Sequence, residues 1–242
     1  MPLILPTISL LNWTDWMIWD KLIDIQHLIE EKLDKTGKEI AEPGMNRFNQ
    51  PGWVNRVWTS QSYRRAHVDV VDARETKKLW MMHFCIFPHL SSDAPILGFD
   101  VIAGKSKITG AFFDFSPTTD ISHPMSNWFA NTMAKYGYNK TRTLPEWARK
   151  IFSKHMIAAG NVSEESEMNM ITDMINEGLT YYLDNIGNYN GAFVYDHMGQ
   201  LAQNRYAKYQ KQNPHTPRTM ASLGLDEDDV KLFIDKCLFP EV

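Results

Sequence analysis

Three ionisable residues stand where β-strands are otherwise apolar: Asp69, His83 and Asp100. They lie in His67-Val68-Asp69-Val70-Val71, Met81-Met82-His83-Phe84-Cys85-Ile86-Phe87 and Ile96-Leu97-Gly98-Phe99-Asp100-Val101-Ile102. A buried carboxylate without a partner is costly to ionise, so it takes up a proton or recruits a partner. Two carboxyls and an imidazole sharing one apolar layer would form a proton-handling site. Plainer explanations exist for single members. His67 and Asp69 are two apart, share one side of a strand and could be the polar face of an edge. A histidine between Met82 and Phe84 could be a satisfied core residue. Asp100 is harder to explain so, because mid-strand aspartate is disfavoured by both propensity and burial.

The elements that must position these residues follow from periodicity. Residues 16–33 read as an amphipathic helix, with Trp16, Trp19, Leu22, Ile23, Ile25, Leu28 and Ile29 recurring near 3.6 spacing, and Thr36-Gly37-Lys38 ending it. Residues 41–53 are turn-rich. Strands follow at about 54–60, 66–73, 78–87, 95–103 and 107–116. Their short polar connections predict antiparallel pairing. The strands at 78–87 and 95–103 are apolar on both faces, which requires cover on both sides. Helices are expected near 125–136, 145–158, 163–185, 194–211 and 226–237. Ser163, with the acids after it, suits a helix start. The order helix, sheet, helices predicts one domain: an α/β fold, a three-layer α/β/α sandwich on a central antiparallel sheet.

Composition bounds the function. The chain has 242 residues, a net charge of −4, 43% hydrophobic and 22% charged residues, as expected for an ordinary soluble globule. It carries no global basic signature for nucleic acid. Eight Trp and thirteen Met suit a core or pocket that meets a large flat ligand, or simply core filling. Cys85 and Cys237 sit in apolar contexts and read as buried cytosolic thiols. Without a Cys-x-x-Cys, an intrinsic iron–sulfur cluster or structural zinc is not expected. No signal peptide or membrane-spanning run is expected, so the sequons at Asn12, Asn139 and Asn161 read as chance. No Gly-x-Gly, nucleophile elbow or His-Glu-x-x-His occurs. If the protein does redox chemistry, its electrons must come from outside.

Residues 66–117, AHVDVVDARETKKLWMMHFCIFPHLSSDAPILGFDVIAGKSKITGAFFDFSP, resemble the ferredoxin-dependent bilin reductases. Within that family they resemble most the phycocyanobilin:ferredoxin oxidoreductase branch. Further matching segments are Arg142 to Trp147, Asn161-Val162-Ser163 and Asn213 to Arg218. The resemblance spans about residues 54–240. It implies an α/β/α sandwich that binds biliverdin IXα between the sheet and the C-terminal helices. It implies reduction through bilin radicals, with single electrons from reduced [2Fe-2S] ferredoxin and protons from side chains and water. No bound cofactor or metal is implied, and a cytoplasmic monomer is expected (in the host cytoplasm if virus-encoded).

Carried over by position, His83 and Asp100 match the family's proton-relay pair, Asp100 as donor to the bilin. His67 matches a histidine that orders the site's water. Arg142 matches a propionate-binding arginine. Asn213, His215 and Arg218 match a second propionate contact, although His215 stands where relatives carry lysine, so Arg218 can substitute. Asp69 stands where phycocyanobilin-forming enzymes carry a glutamate that serves D-ring vinyl reduction. The shorter arm predicts loss of that step and a four-electron product, phycoerythrobilin, which phage-borne relatives also make. Phycocyanobilin is the alternative product. An acidic ferredoxin predicts a basic docking patch, with Arg64, Arg65, Lys105, Lys107, Arg149, Lys150, Lys154, Lys208 and Lys211 as candidates. Two other classes remain open: a bilin carrier, which needs no proton donor, and a cofactor-free isomerase, which needs no reductant.

Overall fold

A computed structural model describes residues 13–242. The readings of Asn12 and of the chain before it lie outside the described residues. Helix α1 (Trp13–Thr36) buries Ile18, Trp19, Leu22, Ile25, Ile29 and Leu33, the stripe that its 3.6-residue period predicts. Gly37 turns the chain where its missing Cβ matters: a methyl there would come within 2.3 Å of the Tyr63 hydroxyl.

Seven strands then form one antiparallel meander in sequence order: β1 (Lys38–Ile40), β2 (Trp53–Thr59), β3 (Tyr63–Ala73), β4 (Leu79–Pro88), β5 (Ile96–Ala103), β6 (Ile108–Ser116) and β7 (Ile157–Ala159). The central five are the ones the sequence predicts. The outer two are three residues each, too short to show a period.

Both faces are covered, as the doubly apolar strands require. On one face, α1 packs with α4 (Pro124–Lys135) and α5 (Glu165–Asn185) over Phe84, Phe99, Phe113 and Phe115. The other face is partly roofed by α2 (Pro43–Asn46), α6 (Asp196–Gln210) and the C-terminal run. That run comprises α7 (His215–Ser222), α8 (Glu227–Leu232) and a wider turn, Phe233–Leu238. A four-residue helix, α3 (Arg74–Lys77), links β3 to β4. The architecture is the expected three-layer sandwich.

One predicted helix is absent. Residues 145–158 form a short 3-10 turn at Ala148–Lys150 and then lead into β7. Buried Asp114 on β6 draws this segment onto the sheet: it accepts from the Ser153 backbone N–H at 2.8 Å and from the Ser153 hydroxyl at 2.5 Å. Those tertiary bonds override local helix propensity.

Candidate active site

Strand register brings the three ionisable residues onto one rung. Asn55, Asp69, His83, Asp100 and Phe112 are successive cross-strand partners from β2 to β6. Directly opposed residues share a face, and here it is the one roofed by the C-terminal helices. His67 lies one step along β3 on the same side, its ring 6.0 Å from that of His83.

The roof is uneven. Phe239 packs edge-on against His83 at 5.3 Å, and Phe233 against Trp53 at 5.2 Å. Tyr206 lies over Cys85, with its hydroxyl 3.8 Å from Sγ. Beyond His83 the face opens: Asp100 and Phe112 are half-buried and Ile102 is exposed. Arg142 borders this open half. Its stem lies where Gly160 has no side chain, and its guanidinium sits over Gly110, 5.6 Å from the Phe112 ring centre.

The two carboxyls have different surroundings from those their sequence contexts suggest. Asp100 sits at the open margin with its side chain 35% exposed, and accepts from His83 Nδ1 at 2.6 Å. Asp69 is the enclosed one, with no exposure. Its Oδ1 accepts from Trp53 Nε1 at 2.7 Å, which ties the carboxyl toward β2 and away from the open half. Burial pushes Asp69 up to about 7, against the opposing effects of the Trp53 bond and the His83 charge. Burial also works against a charged His83, but the Cys85 sulfur and the Asp100 carboxylate outweigh it and raise that imidazole well above its usual range. His67 is held well below its usual range by burial, then by Arg65 and His83, and is therefore neutral.

Three buried polar atoms of this group have no partner: His67 Nδ1, Asp69 Oδ2 and His83 Nε2. Buried polar atoms are rarely left unpaired, and each of these three can take a further hydrogen bond. Among the described residues, no group of three or more His, Cys, Asp or Glu side chains could hold a metal ion.

The model of the ferredoxin-dependent bilin reductases matches residues 24–240. The chain belongs to that family. It is therefore an oxidoreductase, and this reductase has relatives with established names. Phycocyanobilin:ferredoxin oxidoreductase of Prochlorococcus marinus (strain MIT 9515) is 26% identical over 214 residues, 85% of this chain and 80% of that one. A solved structure of a protein called PcyX is 40% identical, with a TM-score of 0.70 over 91% of this chain and 99% of that one. Phytochromobilin synthase from tomato, solved in complex with biliverdin, is 15% identical with a TM-score of 0.71, covering 91% of this chain and 82% of that one, and shares the fold.

The other expected site residues of the reductase lie apart from the rung. Asn213 Oδ1 accepts from the His215 backbone N–H at 3.0 Å, which starts α7, and His215 and Arg218 are exposed on that helix. Arg65 is not a docking residue. It is buried, paired with Glu42 at 2.9 Å, and donates to the Cys237 carbonyl at 3.0 Å, pinning the C-terminal run to the sheet. Lys211 is tied to Asp235 and Glu241. Trp53 and Asn55 were not anticipated. The available signal was alternation in Trp53-Val54-Asn55-Arg56-Val57, which turns Asn55 inward with Trp53 and Val57.

The Asp69 environment has a measurable consequence. Its folded pKa of about 7 lies above the reference 3.8, so between those values the folded state binds more protons than the unfolded state. Stability then falls as pH rises through that window, by at most roughly 1.4 kcal/mol per pH unit. Raised His83 acts with the same sign in its own, higher window. Asp69→Asn keeps the acceptor for Trp53 and removes the titration. Urea denaturation should show the variant gaining stability relative to the parent as pH goes from about 4 to 8. A constant difference would refute the assignment.

Proposed function

We propose that this reductase converts biliverdin IXα to phycoerythrobilin by way of 15,16-dihydrobiliverdin. Four electrons arrive singly from reduced ferredoxin, and four protons accompany them. The first and third electrons each leave a bilin radical, which the second and fourth electrons quench, and protons from the rung or from water neutralise the added charge.

The observation that carries this reading is the position of Asp69. Its arm is one methylene, about 1.5 Å, shorter than glutamate, and Trp53 holds the carboxyl back toward β2. Proton transfer needs a heavy-atom approach of about 2.6–3.2 Å. A retracted carboxyl misses the D-ring vinyl group, and reduction is directed to the 15,16 bridge and then the A-ring diene. The names of the curated relatives favour a second reading, vinyl reduction to phycocyanobilin. Anaerobic turnover of biliverdin with chromatography of the products separates the two.

Asp100 is the proposed donor to the pigment. It stands where the roofed and open halves of the face meet, and it shares a proton with His83 across 2.6 Å. A bilin lying on the open half meets Asp100 first. Its polar nitrogen and oxygen edge would then satisfy the unpaired atoms of His83, Asp69 and His67 once Phe239 moves aside. A carrier would need the open face but not this acid–base rung. An isomerase would need the rung but no electrons.

Arg142 is the proposed clamp for a propionate, because a guanidinium fits a carboxylate bidentately. Arg142→Leu is expected to weaken biliverdin binding about 10- to 100-fold, the scale of a hydrogen bond to a charged group, with little change in turnover at saturation. Titration of bilin absorbance measures it, and unchanged affinity would remove Arg142 from the site. Asn213, His215 and Arg218 on α7 are proposed for the second propionate. For ferredoxin, the exposed bases Arg149, Lys150 and Lys154 beside Lys208 form the proposed patch; Arg205 ties the two segments by donating to the Lys150 carbonyl at 2.9 Å.

A further inference from the structure

Two asparagines, Asn55 on the rung and Asn49 beside it, bear on where a proton of the site sits. The backbone N–H of Asn55 donates to Asn49 Oδ1 at 2.8 Å. A backbone N–H can only donate, so the Asn49 atom it meets must be the carbonyl oxygen. The same oxygen lies 3.3 Å from the Asn55 side-chain amide, which must therefore present its NH₂ there. That fixes the Asn55 amide with its oxygen turned toward His67, 3.1 Å from Nε2. An oxygen can only accept, so His67 Nε2 carries the hydrogen. In the neutral ring the other nitrogen, Nδ1, is then bare. It is buried without a partner, on a ring packed beside that of His83, whose own Nε2 is likewise buried and unpartnered.

We infer that Asn55, oriented by Asn49, is a positioning residue that locks His67 as its Nε2–H tautomer and so makes Nδ1 a fixed acceptor inside the site. The lock gives the pair a polarity. A charged His83 presents an N–H at Nε2, and His67 answers with a lone pair. A water held between them accepts from His83 and donates to His67. In the opposite tautomer, two N–H groups would face the same space, and a bridging water would find no acceptor on either ring. The lock also sits at a boundary. Asn49 and Asn55 line a cavity of about 340 Å³ between α2 and the β1–β2 edge, together with Glu39, Glu42 and Met45. Asn55 belongs both to the cavity wall and to the rung. The role given to His67 rests on the proposed reductase reading; the tautomer lock itself does not.

Nitrogen-15 spectra of the full-length protein labelled at histidine test it without substrate. His67→Gln identifies the His67 signals among the eight histidines. The unaltered protein should show Nε2 protonated and Nδ1 bare at neutral pH. Asn49→Asp, which keeps both acceptor contacts, should leave that pattern in place. Asn49→Ala and Asn55→Leu should each produce a mixture or the reverse tautomer. A protonated Nδ1 in the unaltered protein, or an unchanged Nε2–H signal in both disrupting variants, would overturn the lock. For catalysis, Asn55→Leu should lower the bilin turnover rate about tenfold with its KM unchanged; a change in KM alone would overturn the positioning role. If the unaltered protein shows the locked tautomer but no ferredoxin-dependent turnover, the reductase reading fails and the lock stands.

Discussion

Asp100→Asn should bind biliverdin and fail to reduce it, with turnover lower by about 10²- to 10⁴-fold, the usual contribution of a positioned general acid. The substitution is nearly isosteric. An amide oxygen can still accept from His83 Nδ1, so the 2.6 Å contact has a counterpart in the variant. What disappears is a carboxyl that can pass a proton to the pigment and, once ionised, pair with the His83 imidazolium. The pigment should therefore bind at near-normal affinity while its protonated absorbance weakens, and single-electron reduction should stall at the first radical. Anaerobic spectra with excess reduced ferredoxin measure this directly. Turnover within threefold of the parent would show that Asp100 is not the donor, despite its place between the roofed and open halves of the face.

Asp69→Glu should change the product rather than the rate. One added methylene extends the carboxyl by about 1.5 Å. That is enough to span the difference between a missed contact and a proton-transfer distance. The product mixture is expected to shift from phycoerythrobilin toward the vinyl-reduced bilin. There is a structural cost, because the site has no exposure and adding a methylene to a filled interior typically destabilises by about 1–3 kcal/mol. Trp53 must also keep or lose its 2.7 Å bond. Trp53→Phe releases the carboxyl without lengthening it, and should shift products in the same direction by a smaller amount. An unchanged product distribution in both variants would mean that specificity lies elsewhere than in this carboxyl.

The rung was legible because it sits in long central strands. In β3, β4 and β5 the apolar context is continuous, so each ionisable residue stands out, and alternation fixes its face. Register is a tertiary fact, yet the meander pairs neighbours in sequence, which is why residues on three separate strands fall on one line. What was not legible is what comes from far along the chain. The burial of Asp69 and the exposure of Asp100 depend on Phe233 and Phe239, which roof one half of the face and not the other. Nothing near Asp100 in the sequence encodes that difference. The helix expected at 145–158 failed because Asp114, some forty positions earlier, captures Ser153. Arg65 read as a surface base because its partners, Glu42 and the Cys237 carbonyl, are distant in sequence. Trp53 and Asn55 were recoverable from strand alternation. Their meaning came only with the side chains they meet.

A short, retracted carboxyl on an acid–base rung is proposed to set the bilin this reductase makes. The most direct test of that proposal is anaerobic turnover of biliverdin IXα by the unaltered protein with reduced ferredoxin, with the products separated by chromatography over time. The expected course is transient 15,16-dihydrobiliverdin followed by phycoerythrobilin, with no reaction when reduced ferredoxin is withheld. Phycocyanobilin as the dominant product, or conversion without any reductant, would contradict it.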